Sequence, residues 1–164
     1  MASLELHVLP NRWSTTRPPG TGRPSFGHRQ EARIRRGLEG NPDFKVMASA
    51  DLDYLQKLDC VVEDVTRSEL GPVGLQITTR DNDSMKIERT FQALKKTRPV
   101  PRAIYVIVAG SAGAWAIPAI AHMIRKVAAW PRQGMVVIRL RRTGDGVLVQ
   151  ILNKMVFDAQ VPAA

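Results

Sequence analysis

The stretch GPVGLQITTR, residues 71–80, decides the fold, because it has the pattern of a buried β-strand that carries polar groups. Apolar residues occupy every second position from Val73, and Gln76 and Thr78 fall between them. Side chains alternate along a strand, so one face is apolar while the other presents an amide and a hydroxyl. Burying such groups without partners is costly. The polar face is therefore where we look for a functional site.

The patterns on either side of this strand predict a mixed α/β domain. We expect helices at 28–39, 84–97 and 117–129, strands at 44–48, 58–65, 73–79 and 103–109, and a hairpin of 134–142 and 147–152 joined by TGDG. This order predicts one mixed-sheet domain over 28–164. Its αβββαβ core covers 28–109, and a C-terminal helix and β-hairpin follow within 110–164. Residues 1–27 contain a segment rich in Pro, Gly, Ser and Thr whose charges are all Arg, and we expect them to form a flexible basic N-terminal arm.

The charge balance favours an anionic partner. Lys and Arg number 24 against 15 Asp and Glu, for a formal net charge of +9. Such a surplus favours nucleic acid first and acidic membrane second. The single cysteine, Cys60, excludes an internal disulfide, argues against a disulfide-linked partner, and is typical of a reducing compartment, so we expect a cytoplasmic protein. The three histidines are scattered, and no His/Cys spacing is that of a zinc site.

One segment has the length and apolar character of a membrane span. Residues 103–124 carry no Asp, Glu, Lys or Arg, and 22 such residues are enough to cross a bilayer. However, GSAG interrupts the run after a β-rich AIYVIVAG, and Pro118 suits the first turn of a new helix. A buried strand, a turn and a packed helix is the interpretation that we favour.

Polar residues that interrupt apolar elements are the candidate functional residues. They are Glu31 on the first helix, Asp59 in the second strand, and Gln76 with Thr78 in the third. If the second and third strands are neighbours, Asp59 and Gln76 point from the same side of the sheet. A carboxylate and an amide carbonyl so placed offer the hard oxygen ligands that Mg²⁺ prefers. Lys86 lies in the first turn of the helix that follows.

These segments resemble the PD-(D/E)XK (restriction-endonuclease-like) nuclease superfamily, whose core has the αβββαβ order. The resemblance covers about residues 27–109 and depends on GHRQEARIRRGL, ASADLDYLQKLDCVVED and PVGLQITT. In that family an Asp opens the second strand, and Asp59 matches it. A Glu or Gln, any residue and then Lys follow in the third strand, and Gln76 and Thr78 occupy that frame. The resemblance implies Asp59 and Gln76 as Mg²⁺ ligands and Glu31 as an assisting acid.

The chain departs from the family pattern at two positions. Gln76 in place of Glu removes a negative charge but keeps a carbonyl ligand. Thr78 in place of Lys removes the group thought to orient the attacking water or to stabilise developing negative charge. The family tolerates a lysine that has moved from the strand to the next helix, and Lys86 is the candidate. Asp51 and Asp53 are weaker candidates for a peripheral role.

Each candidate also has a structural interpretation that stays open. Asp59 can cap a strand start, Gln76 can be a hydrogen-bonded core amide, and Thr78 can be an ordinary β-former. Glu31 can pair with Arg35 one helical turn away, and Lys86 can be a solvated helix residue.

Three functions are consistent with these patterns. The first is a magnesium-dependent endonuclease-like protein acting on DNA phosphodiesters, whose nucleic-acid backbone would be held by Arg17 and Arg23 in the arm and by Arg139 and Arg141 on an exposed strand face. The alternative is a catalytically inactive nuclease-fold domain that binds nucleic acid or a partner protein. The third is a small membrane-associated protein built around 103–124. The oligomeric state cannot be predicted from these patterns.

Overall fold

The structure, a computed structural model of the chain, describes residues 26–48, 57–81, 83–110 and 113–158. Three α-helices, six β-strands and two 3-10 helices occur in these ranges. The α-helices are α1 (Phe26–Glu39), α2 (Ser84–Thr97) and α3 (Ile117–Ala128). The strands are β1 (Phe44–Met47), β2 (Cys60–Asp64), β3 (Val73–Thr78), β4 (Arg102–Val108), β5 (Gly134–Arg142) and β6 (Val147–Val156). The 3-10 helices are Val65–Leu70 and Ala114–Ala116.

All six strands join one mixed sheet in the order β1-β2-β3-β4-β5-β6. The first three form an antiparallel meander. β3, β4 and β5 are mutually parallel, because α2 and α3 provide the crossovers between them. β6 returns antiparallel to β5. The predicted fold class, a single mixed α/β sheet with an αβββαβ order followed by a helix and a hairpin, is confirmed.

The helices cover both faces of the sheet. Ile34 and Leu38 of α1 pack with Ile120 and Ile124 of α3 on one side, which we call the α1/α3 face. Phe91 of α2, together with other apolar residues of that helix, packs on the other side, which we call the α2 face. Helices on both faces bury the strands between them, and every residue of β3 and every residue of β4 after Arg102 is buried.

The apolar segment 103–124 divides between strand and helix as expected. Its first part forms β4 and its last part belongs to α3, and the 3-10 helix Ala114–Ala116 lies directly before α3. Pro118 occupies the first turn of α3. No helix in the described part of the chain has the length and apolarity required to cross a membrane.

The helices α1 and α3 approach each other closely at Gly37. A β-carbon at this position would overlap the side chain of Ile117, at the start of α3. At its other end α3 is attached to the first two strands through Arg125. The guanidinium lies 3.1 Å from Asp43 Oδ2 and 3.4 Å from Asp64 Oδ2.

The C-terminal hairpin is longer than the sequence predicts. Its turn is closed by the Thr143 amide, which donates to the Gly146 carbonyl at 2.8 Å. β6 continues four residues past the expected end, because a shift in its register at Val137/Ile138 inserts Leu152 between paired positions. This bulge leaves Ile151 and Leu152 both exposed although they are adjacent.

Candidate functional site

Asp59 and Gln76 lie opposite each other on the α2 face. Cys60 of β2 pairs with Leu75 of β3, and the Asp59 amide donates to the Leu75 carbonyl at 2.8 Å. In this antiparallel register the residue before Cys60 faces the residue after Leu75. The predicted juxtaposition of the acid and the amide on one sheet surface is therefore present.

The carboxylate of Asp59 is used within the sheet. Its Oδ2 atom accepts a hydrogen bond from the Ile77 backbone amide at 2.6 Å. Asp59 is only 8% exposed. The side chain thus takes the place of a backbone carbonyl at the point where β2 begins, and it satisfies an amide of β3 that would otherwise be buried without a partner. This is the strand-start role that the sequence left open beside a ligand role.

Gln76 and Thr78 are both buried beneath α2, at 7% and 6% exposure. The hydroxyl of Thr78 accepts a hydrogen bond from the Arg80 amide at 3.1 Å, so it closes the turn that follows β3. Position 78, where the family pattern has its lysine, therefore carries a short side chain whose hydroxyl is hydrogen-bonded to the Arg80 amide.

Tyr105 is the residue of this cluster that the sequence analysis missed. It is paired in register with Gln76 on the neighbouring strand, is fully buried, and has no hydrogen-bond partner for its hydroxyl within the described ranges. Burial, helped by the nearby carboxylates of Asp83 and Asp59, raises the pKa of Tyr105 to about 12. The sequence does contain a signal for this residue, because Tyr105 is the one side chain with a polar atom in the apolar run AIYVIV, residues 103–108.

The N-terminus of α2 lies over this polar cluster. Asp83 caps the helix by accepting from the Lys86 amide at 3.0 Å. Thr90, one turn beyond Lys86, is buried and donates its hydroxyl to the Lys86 carbonyl at 2.8 Å. The Lys86 ammonium makes no hydrogen bond or ion pair in the described part of the chain. The structure thus places Lys86 on the helix that covers Gln76, but shows no contact between its ammonium and the Asp59/Gln76 pair.

Glu31 lies on the helix of the opposite face. α1 packs on the α1/α3 face, whereas Asp59 and Gln76 point towards α2, so the sheet separates this helix from the pair. The buried Cys60 lies on the side of α1. Burial raises the pKa of the Cys60 thiol, and the neighbouring Asp59 raises it further. Cys60 is thus a packed thiol, as its apolar surroundings in the sequence indicate.

The basic stripe predicted on β5 is exposed at Arg141 but not at Arg139. The Arg139 side chain is 16% exposed, and its Nη2 atom lies 2.5 Å from Oδ1 of Asp81 in the segment after β3. A second nitrogen of the guanidinium lies 3.4 Å from Oε1 of Gln150 on β6. The expectation of an exposed Arg139 is wrong, because an acid 58 positions earlier in the chain folds onto it. Arg17 and Arg23 of the arm, like Asp51 and Asp53, lie outside the described residues.

The donor set does not fit a magnesium ion. Mg²⁺ is usually bound through one or two carboxylates in near-octahedral geometry. Here Asp59 is the sole carboxylate placed beside Gln76 by the strand register, and one of its oxygens is already bonded to the Ile77 amide. Across the described ranges, no group of three or more His, Cys, Asp or Glu side chains is arranged to hold a metal.

The chain was compared with protein-family models, curated proteins and solved structures, and none of the three comparisons found a match.

Proposed function

We propose that this protein is a nuclease-fold domain that binds nucleic acid without cutting it. The observation that carries the proposal is the Asp59 carboxylate, which is buried and hydrogen-bonded to the Ile77 amide at 2.6 Å. An acid that completes a β-ladder is already engaged in the protein's own backbone, whereas a metal ligand must present its oxygens to the ion.

The residues at the other family positions support the same conclusion. Phosphodiester hydrolysis needs a metal to polarise the phosphate and a cation to stabilise the charge that develops on it. Gln76 is neutral, Thr78 is bonded to the Arg80 amide, and Lys86 has no described contact with either Gln76 or Asp59. Asp59, Gln76 and Thr78 are each less than 10% exposed, so a phosphodiester has little access to them.

The charge of the chain supports a polyanionic partner. A formal net charge of +9 attracts nucleic acid over distances of about one Debye length, roughly 8 Å at physiological ionic strength. Binding of this kind depends on cations that face solvent, and it does not require the buried cluster beneath α2.

A magnesium-dependent nuclease is the second candidate, and the register that sets Asp59 opposite Gln76 is the observation in its favour. Supercoiled plasmid incubated with the purified full chain distinguishes the two functions. Reactions contain Mg²⁺, Mn²⁺ or EDTA, and binding to duplex DNA is measured in parallel. We expect binding that EDTA leaves unchanged and no nicking with either metal.

The Asp59→Asn variant and a matched control at the exposed Asp145, Asp145→Asn, make the outcome specific. Metal-dependent nicking that is lost with Asp59→Asn and retained with Asp145→Asn would establish the nuclease and overturn our proposal. Absence of DNA binding by the wild-type chain would also overturn it.

A further inference from the structure

Three arginines form a straight row on the outer side of α1. Arg29, Arg33 and Arg36 are spaced by four and three residues, so they lie within about 60° of one another around the helix axis. All three are exposed. We call these three residues the α1 arginine row.

The charge of this row is not neutralised by its own helix. Arg35 forms an ion pair with Glu39 at 3.9 Å, on a different side of the helix. Glu31 lies on the opposite side from the row, because it is two residues from Arg29. Within the described ranges, none of the three arginines has a hydrogen bond or an ion pair. The row is thus a set of three cations without compensation from described acids.

We infer that the α1 arginine row binds the phosphate backbone of double-stranded DNA. The inference rests on the proposed nucleic-acid-binding function and assigns it a surface. Arg29 and Arg36 are separated by a rise of about 10 Å along the helix, so the three guanidinium groups can face a short stretch of one DNA backbone together. Guanidinium groups suit phosphate oxygens, because they donate two parallel hydrogen bonds.

The composition of α1 favours DNA over an acidic membrane as the polyanion. A helix that lies on a lipid surface needs an exposed apolar side to enter the acyl region. The apolar residues Ile34 and Leu38 of α1 have no exposure, because they are packed against α3 and the sheet. Over residues 29–39 the helix therefore offers charge to a partner, whereas its large apolar side chains, Ile34 and Leu38, are buried.

The test is the salt dependence of binding, measured by fluorescence anisotropy with a labelled duplex of about 20 base pairs of arbitrary sequence. The variant combines Arg29→Gln, Arg33→Gln and Arg36→Gln in the full chain. If each arginine neutralises one phosphate, the slope of log K against log salt falls by about 2.7 and affinity at about 0.1 M salt falls tenfold or more. Gln is a good helix former, and circular dichroism verifies that the fold is kept.

A matched control removes the same number of charges from the helix on the other face of the sheet. It combines Arg89→Gln, Lys95→Gln and Lys96→Gln, three exposed positions of α2. We expect its slope to stay close to that of the wild type. An Arg→Lys version of the α1 triple variant keeps the charges, so its slope should also stay close to the wild-type value.

The outcomes separate this inference from the function on which it rests. Wild-type binding with equal slopes for the α1 and α2 variants overturns the inference and leaves the proposed function standing. No wild-type binding overturns both. Loss of binding to phosphatidylserine vesicles by the α1 variant, with duplex binding unchanged, assigns the row to membrane and overturns the inference as well.

Discussion

Replacing Asp59 with alanine removes the acceptor of the 2.6 Å hydrogen bond from the buried Ile77 amide. A hydrogen bond to a charged group contributes about 1.5–3 kcal/mol, and an amide left buried without a partner adds a desolvation cost. We therefore expect Asp59→Ala to lower the free energy of unfolding by about 3 kcal/mol. Asp59→Asn keeps an oxygen at the same position, and we expect it to cost about 1 kcal/mol.

Urea denaturation followed by circular dichroism measures both losses. With a slope of about 2 kcal/mol per molar urea, the midpoint of Asp59→Ala should fall by about 1.5 M and that of Asp59→Asn by about 0.5 M. A carboxylate kept for metal binding behaves differently, since its removal in metal-free buffer costs little. Midpoints for both variants equal to or above the wild-type value would refute the structural role assigned to Asp59.

Three further predictions concern other buried positions. Tyr105→Phe removes a buried hydroxyl that lacks a partner in the described ranges. Thermal unfolding should therefore show a free energy of unfolding higher by up to about 1 kcal/mol, and a decrease of that size would contradict this prediction. Gly134→Ala places a β-carbon against the Met155 carbonyl oxygen, a backbone atom that cannot move aside. We expect the free energy of unfolding, measured by urea denaturation, to fall by about 3 kcal/mol. A fall of less than about 1 kcal/mol would contradict the close contact. The side-chain hydrogen bond from Thr66, assisted by Arg125, lowers the pKa of Asp64 from its ordinary 3.8. Because the folded-state pKa is lowered, the contribution of the Asp64 carboxylate to stability is fully present above the ordinary pKa of 3.8 and is lost as pH falls through the lower folded-state pKa. Asp64→Asn should thus cost about 1 kcal/mol at pH 7 and converge with the wild type in acid, and a difference independent of pH would refute the assignment.

The strand pattern around Gln76 shows how much local sequence predicts. Alternation in 73–78 identifies which side chains share a face, and two adjacent antiparallel strands then bring Asp59 opposite Gln76. Both steps depend on period and connectivity, which are properties of short segments. The helix and strand order follows from the same local information, and the structure confirms it.

Contacts between distant segments could not be predicted in this way. One partner of Asp59 is a backbone amide 18 residues away, and one partner of Arg139 is an acid 58 residues away. No periodicity specifies such partners, because they depend on how the strands are stacked in register. The length of β6 was missed for a related reason: the extra residue at Leu152 breaks the alternation that marks a strand.

The absence of a side chain at Gly37 lets Ile117, at the start of α3, pack directly against α1. A β-carbon at this position would overlap the side chain of Ile117, so a larger residue would have to displace that side chain. Because α1 packs against α3, the cations of the α1 arginine row keep their mutual distances before a partner binds. Association then sacrifices little backbone freedom, so more of the attraction between opposite charges is retained as affinity.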